Sequence, residues 1–294
     1  MDHQQVIIFG EVLFDCFPDN TALLGGAPFN VAWHLCAFGV LPLFISSVGY
    51  DDRGRHITNI MQEWGLDVSG LQTDSVYQTG VVEILFKNNE PCYDIREDCA
   101  YDHISTALLP DLKKGGLLYH GTLALRNRIS ANTLESIRSM MNPYVFMDVN
   151  LRSPWWTRQL IHQLLPKTDW LKLNNDELSS LIPGSHSEMD RIRQLKSENK
   201  LDLISVTKGS HGACTYQAEG SMETVIPEKY LTGIVDTVGA GDAFSSILLL
   251  GNIKGWPMDV TLERAQQFAG KIITIRSATT SDRSFYQPFL DDWN

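Results

Sequence analysis

The sequence predicts an α/β protein built on a mostly parallel sheet with covering helices. Short apolar runs rich in β-branched residues alternate with helix-period segments almost from end to end. The 294 residues suffice for one large domain with a sizeable core, and 43% hydrophobic with 20% charged residues is globular usage, neither disordered nor fibrous. No low-complexity linker, internal repeat or charge block splits the chain, so residues 1–294 read as a single domain.

Val6-Ile7-Ile8-Phe9 reads as the first core strand, followed by an irregular segment. A helix is expected from about Asn30, with Val31, Leu35 and Phe38 on one face and Gly39 ending it. The strand Leu43 to Val48 comes next. Asp52 is expected to cap a second helix, whose buried stripe is Ile57, Ile60, Met61 and Trp64 and whose stop is Gly65. Between Gly80 and Ile95 the rhythm changes to a hairpin, Val81 to Phe86 and Cys92 to Ile95, joined by the polar turn Lys87 to Pro91. Such a hairpin is either an edge extension of the main sheet or a separate flap. Strands follow near Leu117 to His120, Tyr144 to Asp148, Trp170 to Leu173 and Leu203 to Thr207. One helix between them starts near Ser130 and stops before Pro143, and a last helical stretch covers about Val260 to Ile275.

Lys and Arg number 24 against 35 Asp and Glu, a formal charge of −11, which excludes a broad nucleic-acid or anionic-membrane surface. The longest early apolar stretch, His34 to Val48, is broken by Gly39 and Pro42, short of the ~20 residues a membrane helix needs. The first residues carry no basic signal region, so a cytoplasmic location is expected. The five cysteines are scattered without a paired spacing and read as small buried hydrophobes.

The strongest chemical signal is Asp236-Thr237-Val238-Gly239-Ala240-Gly241-Asp242-Ala243-Phe244, running into Ile247-Leu248-Leu249-Leu250. Glycines opening a helix allow close approach of a ligand, and the first-turn N–H groups and the helix dipole favour an anion. It is neither the dinucleotide fingerprint, since Phe244 stands where a third glycine is needed, nor a P-loop. Asp242 either complements the dipole or takes a proton from a nucleophile aimed at the bound phosphate. The second signal is Gly25-Gly26-Ala27-Pro28-Phe29-Asn30, with Asp15 ahead of it. Exposed amides, a carboxylate and an amide side chain suit a polyhydroxylated ligand, and a glycine-rich turn with Asn30 as helix cap is the plainer reading.

Together these segments resemble the ribokinase-like (pfkB) family of carbohydrate kinases, over nearly the whole chain. Gly25 to Gly39 is similar to its N-terminal signature, Asp236 to Phe244 to its C-terminal one, Asn174-Asn175-Asp176-Glu177 to its Asn-x-x-Glu element, and Val206 to Gly212 to its nucleotide-side strand and loop. The resemblance implies a three-layer α/β/α sandwich with a mainly parallel central sheet and a small β lid, with lid segments near 11–24 and 80–97. It also implies Asp242 as catalytic base and the backbone of Gly239, Ala240 and Gly241 as anion hole. Asp15, Gly25, Gly26, Asn30 and Arg152 would bind substrate. Asn174, Thr207, Gly209 and Gly212 would hold ATP, with Asn174 and Glu177 acting on Mg²⁺ and phosphate through water. Asn174 and Glu177 also fit a helix capping box. Asp236 is either a monovalent-cation (K⁺) ligand or a turn acceptor.

Ala27-Pro28, the stretch Asp148-Val149-Asn150-Leu151-Arg152-Ser153-Pro154-Trp155-Trp156, and Gly121 to Arg126 are closest to fructokinases. The expectation is an ATP-dependent kinase of fructose. The alternatives are 2-keto-3-deoxygluconate, for which Arg126 and Arg152 offer a clamp, ribose, a nucleoside, or a catalytically silent sensing member. Gly270 stands where relatives carry Asn or His beside adenine, which relaxes base selectivity. The apolar residues on both faces of the 81–95 hairpin predict a homodimer through paired lids.

Overall fold

The apolar run Val6–Phe9 forms strand β1, buried along its whole length. The computed structural model describes residues 5–87, 90–184, 187–217, 221–227 and 233–293, without the side chains of Phe86, Lys87, Glu90 and Pro91. Contacts group the chain into two units, one of Met1–Gly116, Ala124–Asn142 and Thr279–Asn294, the other of Leu117–Leu123 and Pro143–Ala278.

In the first unit β1 runs parallel to β4 (Leu43–Gly49), with Ile8 opposite Phe44, and β4 runs parallel to β5 (Leu71–Asp74). A separate four-stranded sheet holds β2 (Leu13–Cys16), β3 (Ala22–Gly25), β6 (Gly80–Lys87) and β7 (Glu90–Ile95) in the order β3-β2-β6-β7. The segment expected to be irregular is therefore a hairpin. Its strands are short and interrupted by Asp15, but β2 has a partner on each side, with Leu23 and Val82 both opposite Asp15, so its backbone groups are satisfied. The 80–95 hairpin belongs to this second sheet. Its strands extend to Lys87 and from Glu90, further into the expected turn, and Asn88, Asn89 and the Phe86 side chain lie outside the described residues. Val81, Val82, Ile84 and Ile95 are buried, so the expected exposed apolar face reduces to Leu85, beside the exposed acids Glu83 and Asp94, with Tyr93 exposed on the other side.

Helix α1 (Ala27–Ala37) begins three residues before the expected start because Pro28, in its first turn, has no N–H to lose there. Asn30 is therefore inside the helix, donating its N–H to Gly26 O at 2.8 Å, and is not the cap. Helix α2 (Asp52–Trp64) is capped by Asp51, whose Oδ1 accepts from Gly54 N at 2.7 Å, while Asp52 is the first helical residue and pairs with Arg55. Gly65 ends α2 in the left-handed conformation, as expected. Helix α3 (Arg128–Met141) is capped by Asn127 and stops before Pro143. The stacked indoles of Trp33 and Trp64, 4.5 Å apart, join α1 to α2. A short helix near the C-terminus, α9 (Gln287–Trp293), escapes the sequence reading.

In the second unit β8 (Leu117–His120), β9 (Tyr144–Asp148), β10 (Trp170–Asn174) and β11 (Leu203–Thr207) are successive parallel neighbours. Strands β12 (Ala213–Tyr216) and β13 (Met222–Val225) add antiparallel to β11. Helices α4 (Arg158–Leu164), α5 (Asn175–Leu181), α6 (Glu188–Glu198), α7 (Ala240–Lys254) and α8 (Met258–Ile272) complete the unit. Helix α8 ends at Ile272, so Ile275 of the expected stripe sits in the following turn. Asp148, Asn174 and Thr207 all stand at the carboxyl ends of parallel strands, where open α/β sheets bind their ligands. Among the described residues no helix is long and apolar enough to cross a membrane.

Candidate active site

The apolar run Ile247 to Leu250 buries α7, and its start is fixed by Gly239 at the cap with φ +82°. A Cβ on Gly239 would fall 2.4 Å from the Ala278 methyl, so only glycine fits. Asp242 is the third residue of the helix and is half-buried. First-turn N–H groups have no acceptor further back in the helix. The Ala240 N–H turns back to Thr237 O at 3.3 Å. Ahead of them, Asp236 Oδ1 accepts from Val238 N at 3.0 Å, so Asp236 serves at least as the turn acceptor.

Asn174 and Glu177 form the capping box. Asn174 Oδ1 accepts from Glu177 N, and Glu177 Oε2 accepts from Asn174 N, each at 2.8 Å. Glu177 Oε1 also accepts from Leu151 N at 2.8 Å, tying α5 to the segment before Arg152. Burial pushes the Glu177 carboxyl up, and the charge of Asp148 adds to it. Thr207 sits directly across the β10–β11 ladder from Asn174. Arg152 is exposed, just past Asn150, whose φ is +39°.

Beside this box lies a pair that sequence reasoning missed. Lys172 Nζ donates to Asp148 Oδ2 at 2.9 Å, with side-chain exposures of 7% and 1%. Ser245 Oγ, on α7, donates to the same oxygen at 2.8 Å, while Asp148 Oδ1 is buried with no hydrogen-bond partner. Burial opposes the Lys172 charge, yet Asp148, Glu177 and, more weakly, Asp242 hold its pKa above the usual lysine value. The available signal was a lysine within the apolar run Trp170 to Leu173.

The 208–212 loop closes on itself through Lys208 N to Gly212 O at 2.8 Å and Gly212 N to Gly209 O at 3.1 Å. Glu188 Oε1 accepts from Lys208 Nζ at 2.8 Å and from Tyr216 Oη at 2.6 Å, bracing the loop against α6.

In the first unit the Asp15 carboxylate lies against Gly25, where a Cβ would be 3.0 Å from Oδ2. Gly26 has φ +109°, and a Cβ there would be 2.6 Å from Glu11 O. Asn30 is buried in the first turn of α1, and Glu11, which sequence reasoning did not single out, is buried as well. Arg126 is not an open clamp. Its Nε and Nη2 donate to Asp102 Oδ1 and Oδ2 at 2.8 and 2.7 Å, and Nη2 also reaches Arg96 O at 2.6 Å.

The pfkB carbohydrate kinase family model matches residues 17–284. The chain belongs to the pfkB family of carbohydrate kinases. Among this pfkB protein's relatives are the fructokinase of Klebsiella pneumoniae, 29% identical with 98% of this chain and 97% of that protein covered, and the aminoimidazole riboside kinase of Salmonella typhimurium, 29% identical with 99% and 94% covered. The aminoimidazole riboside kinase of Salmonella enterica, solved with aminoimidazole riboside and an ATP analogue, superposes with a TM-score of 0.82 at 26% identity, covering 97% of this chain and 99% of that one. A Vibrio cholerae fructokinase with fructose, ADP and potassium bound also reaches 0.82, at 24% identity and with 97% and 98% covered. The fold is thus the expected ribokinase-like α/β fold, a large, mainly parallel sheet with helices.

Proposed function

We propose that this pfkB protein is an ATP-dependent sugar kinase whose acceptor is fructose. The observation that carries the reading is Asp242 in the first turn of α7, behind a cap that only Gly239 can form. In the transfer Asp242 accepts the proton of the sugar hydroxyl. The new bond joins that oxygen to the γ-phosphorus, the bond from the γ-phosphorus to the β,γ-bridging oxygen breaks, and its electron pair leaves with ADP. The N–H groups of Gly239, Ala240 and Gly241 meet the phosphoryl charge, and Ala240 exchanges its long bond to Thr237 for that contact. Thr207, Asn174, Gly209 and Gly212 hold the nucleotide. Asp15 and Asn30, with the backbone of Gly25 and Gly26, hold the sugar, and Arg152 is a further substrate contact.

Magnesium fits this donor set as a hydrated ion bound largely through the phosphates. Both Glu177 oxygens already accept backbone N–H groups, and the described residues contain no group of three metal-ligating side chains. When bound, the ion neutralises phosphate charge. A monovalent cation beside Asp236, whose Oδ1 accepts from Val238 N, is part of this proposal.

A riboside acceptor is the second reading, favoured by the equal 29% identity to aminoimidazole riboside kinase. Exposed Leu85, at 43% on the outward face, supports a homodimer through the β3-β2-β6-β7 lid, which sedimentation equilibrium tests: a monomer at micromolar protein refutes it. Asp242→Asn tests the base. The amide is nearly isosteric but cannot take the proton, so kcat falls by ~10²- to 10⁴-fold with sugar affinity kept. Retention of more than about a tenth of wild-type kcat removes Asp242 from that role.

A further inference from the structure

Lys172 stands mid-strand, directly across the β9–β10 ladder from Asp148, and both side chains are almost fully withdrawn from water. Stability gives no reason for such a pair, because apolar residues of similar volume usually serve as well or better there. The surroundings supply one. Lys172 Nζ lies 3.2 Å from where a Cβ on Gly241 would stand, so the glycine lets the ammonium come up beneath the first turn of α7. Asp148, which holds that ammonium, is also held by Ser245 one turn further along the same helix. The charged groups acting on the ammonium are Asp148 on β9, Glu177 on α5 and Asp242 on α7. Three carboxylates around one ammonium leave a formal surplus of negative charge where a polyphosphate has to be received.

We propose that Lys172 is a positioning residue for phosphoryl transfer: its ammonium, pinned by Asp148 beneath Gly241, fixes the first turn of α7 and offsets the Asp242 carboxylate, so that an anionic phosphoryl group is accepted beside it. The proposal rests on the kinase reading and on Asp242 as base. Lys172 itself gains and loses no proton in the step. Its effect is strongest when phosphoryl charge is in flight, so it acts on kcat and on transition-state mimics more than on ground-state binding.

The test compares the wild-type chain with Lys172→Met and with the double variant Asp148→Leu/Lys172→Met, which replaces the buried pair by apolar groups. Three readouts are taken: the thermal midpoint, the steady-state constants for ATP and sugar, and calorimetric affinity for ADP with and without aluminium fluoride. Lys172→Met is expected to lower kcat by about 100-fold, the scale of one lost electrostatic contact in a transfer site, with both KM values within about threefold. ADP should bind as in wild type, and the extra affinity conferred by aluminium fluoride should disappear. The double variant should melt at or above the wild-type temperature and remain equally slow. A folded variant that turns over within threefold of wild type overturns the proposal, as does unfolding of both variants, which would make the pair structural. Wild-type protein with no sugar-dependent ADP release would instead remove the kinase reading, and the Lys172 role with it. Active wild type beside an equally active Lys172→Met removes the Lys172 role alone.

Discussion

Replacing Gly239 by alanine tests whether the start of α7 is held by one backbone conformation. The native φ is +82°, a region that costs an ordinary L-residue about 1 to 2 kcal/mol. The added methyl would also fall 2.4 Å from Ala278 Cβ and 2.5 Å from its Cα, an overlap that backbone movement has to relieve at about 1 to 3 kcal/mol. The sum is about 2 to 5 kcal/mol, or roughly 3 to 8 °C in Tm for a chain of this size. Gly255, at the other end of the same helix, separates the two contributions. Its φ is +69° but nothing lies within 4 Å of a Cβ there, so Gly255→Ala carries only the backbone cost. Thermal unfolding followed by circular dichroism should place Gly255→Ala between wild type and Gly239→Ala. Sugar-dependent turnover should be lost in Gly239→Ala alone, because only that end shapes the turn proposed to receive the phosphoryl group. Equal melting temperatures for the two variants, or full activity in Gly239→Ala, would refute this reasoning.

Two further outcomes are expected. Asp15→Ala should raise the sugar Kd by roughly ten- to a hundred-fold in calorimetry, since a hydrogen bond to a charged group contributes ~1.5 to 3 kcal/mol, with ATP affinity unchanged; an unchanged sugar Kd places the pocket elsewhere. Burial works against the Asp51 carboxylate, but the N–H groups of Thr79 and Gly54 and the Thr79 hydroxyl outweigh it and hold its pKa below the usual value. Its contribution is therefore complete above the unfolded carboxyl pKa of about 4 and lost as pH falls through the folded value. The stability difference between wild type and Asp51→Asn should be constant from pH 5 to 7 and shrink below about pH 4, and a difference that grows on acidification would contradict the assignment.

Local signals carried the readable part of this protein. Strands β1, β4, β8, β9, β10 and β11 were legible because each is a short apolar run bounded by a helical period, whereas the four-residue parallel strand β5 was not, and the Asn174–Glu177 box was legible because its two members are three residues apart. Helix boundaries differ from expectation where adjacent residues compete for the cap, as at Asp51 and Asp52, and where a proline opens the helix ahead of the apolar stripe, as at Pro28. Strands β2 and β3 were illegible because they are four residues each, β3 pairs only with β2, and β2 depends on β6, more than fifty residues away, for its second neighbour. Distance along the chain also hid the site's electrostatics. Lys172 and Asp148 are 24 residues apart, as are Arg126 and Asp102, and nothing local distinguishes the lysine beneath the first turn of α7 from the arginine locked in an ion pair.

The central claim is most directly tested by coupled ADP release from the wild-type chain with Mg-ATP and a panel of fructose, ribose, aminoimidazole riboside, 2-keto-3-deoxygluconate, nucleosides and fructose phosphates. The account predicts sugar-dependent release with kcat/KM for fructose at least about tenfold above every other acceptor, a margin of ~1.4 kcal/mol in transition-state binding. A higher value for the riboside would move the specificity to the second reading, and no acceptor-dependent ADP release from folded protein would contradict the account.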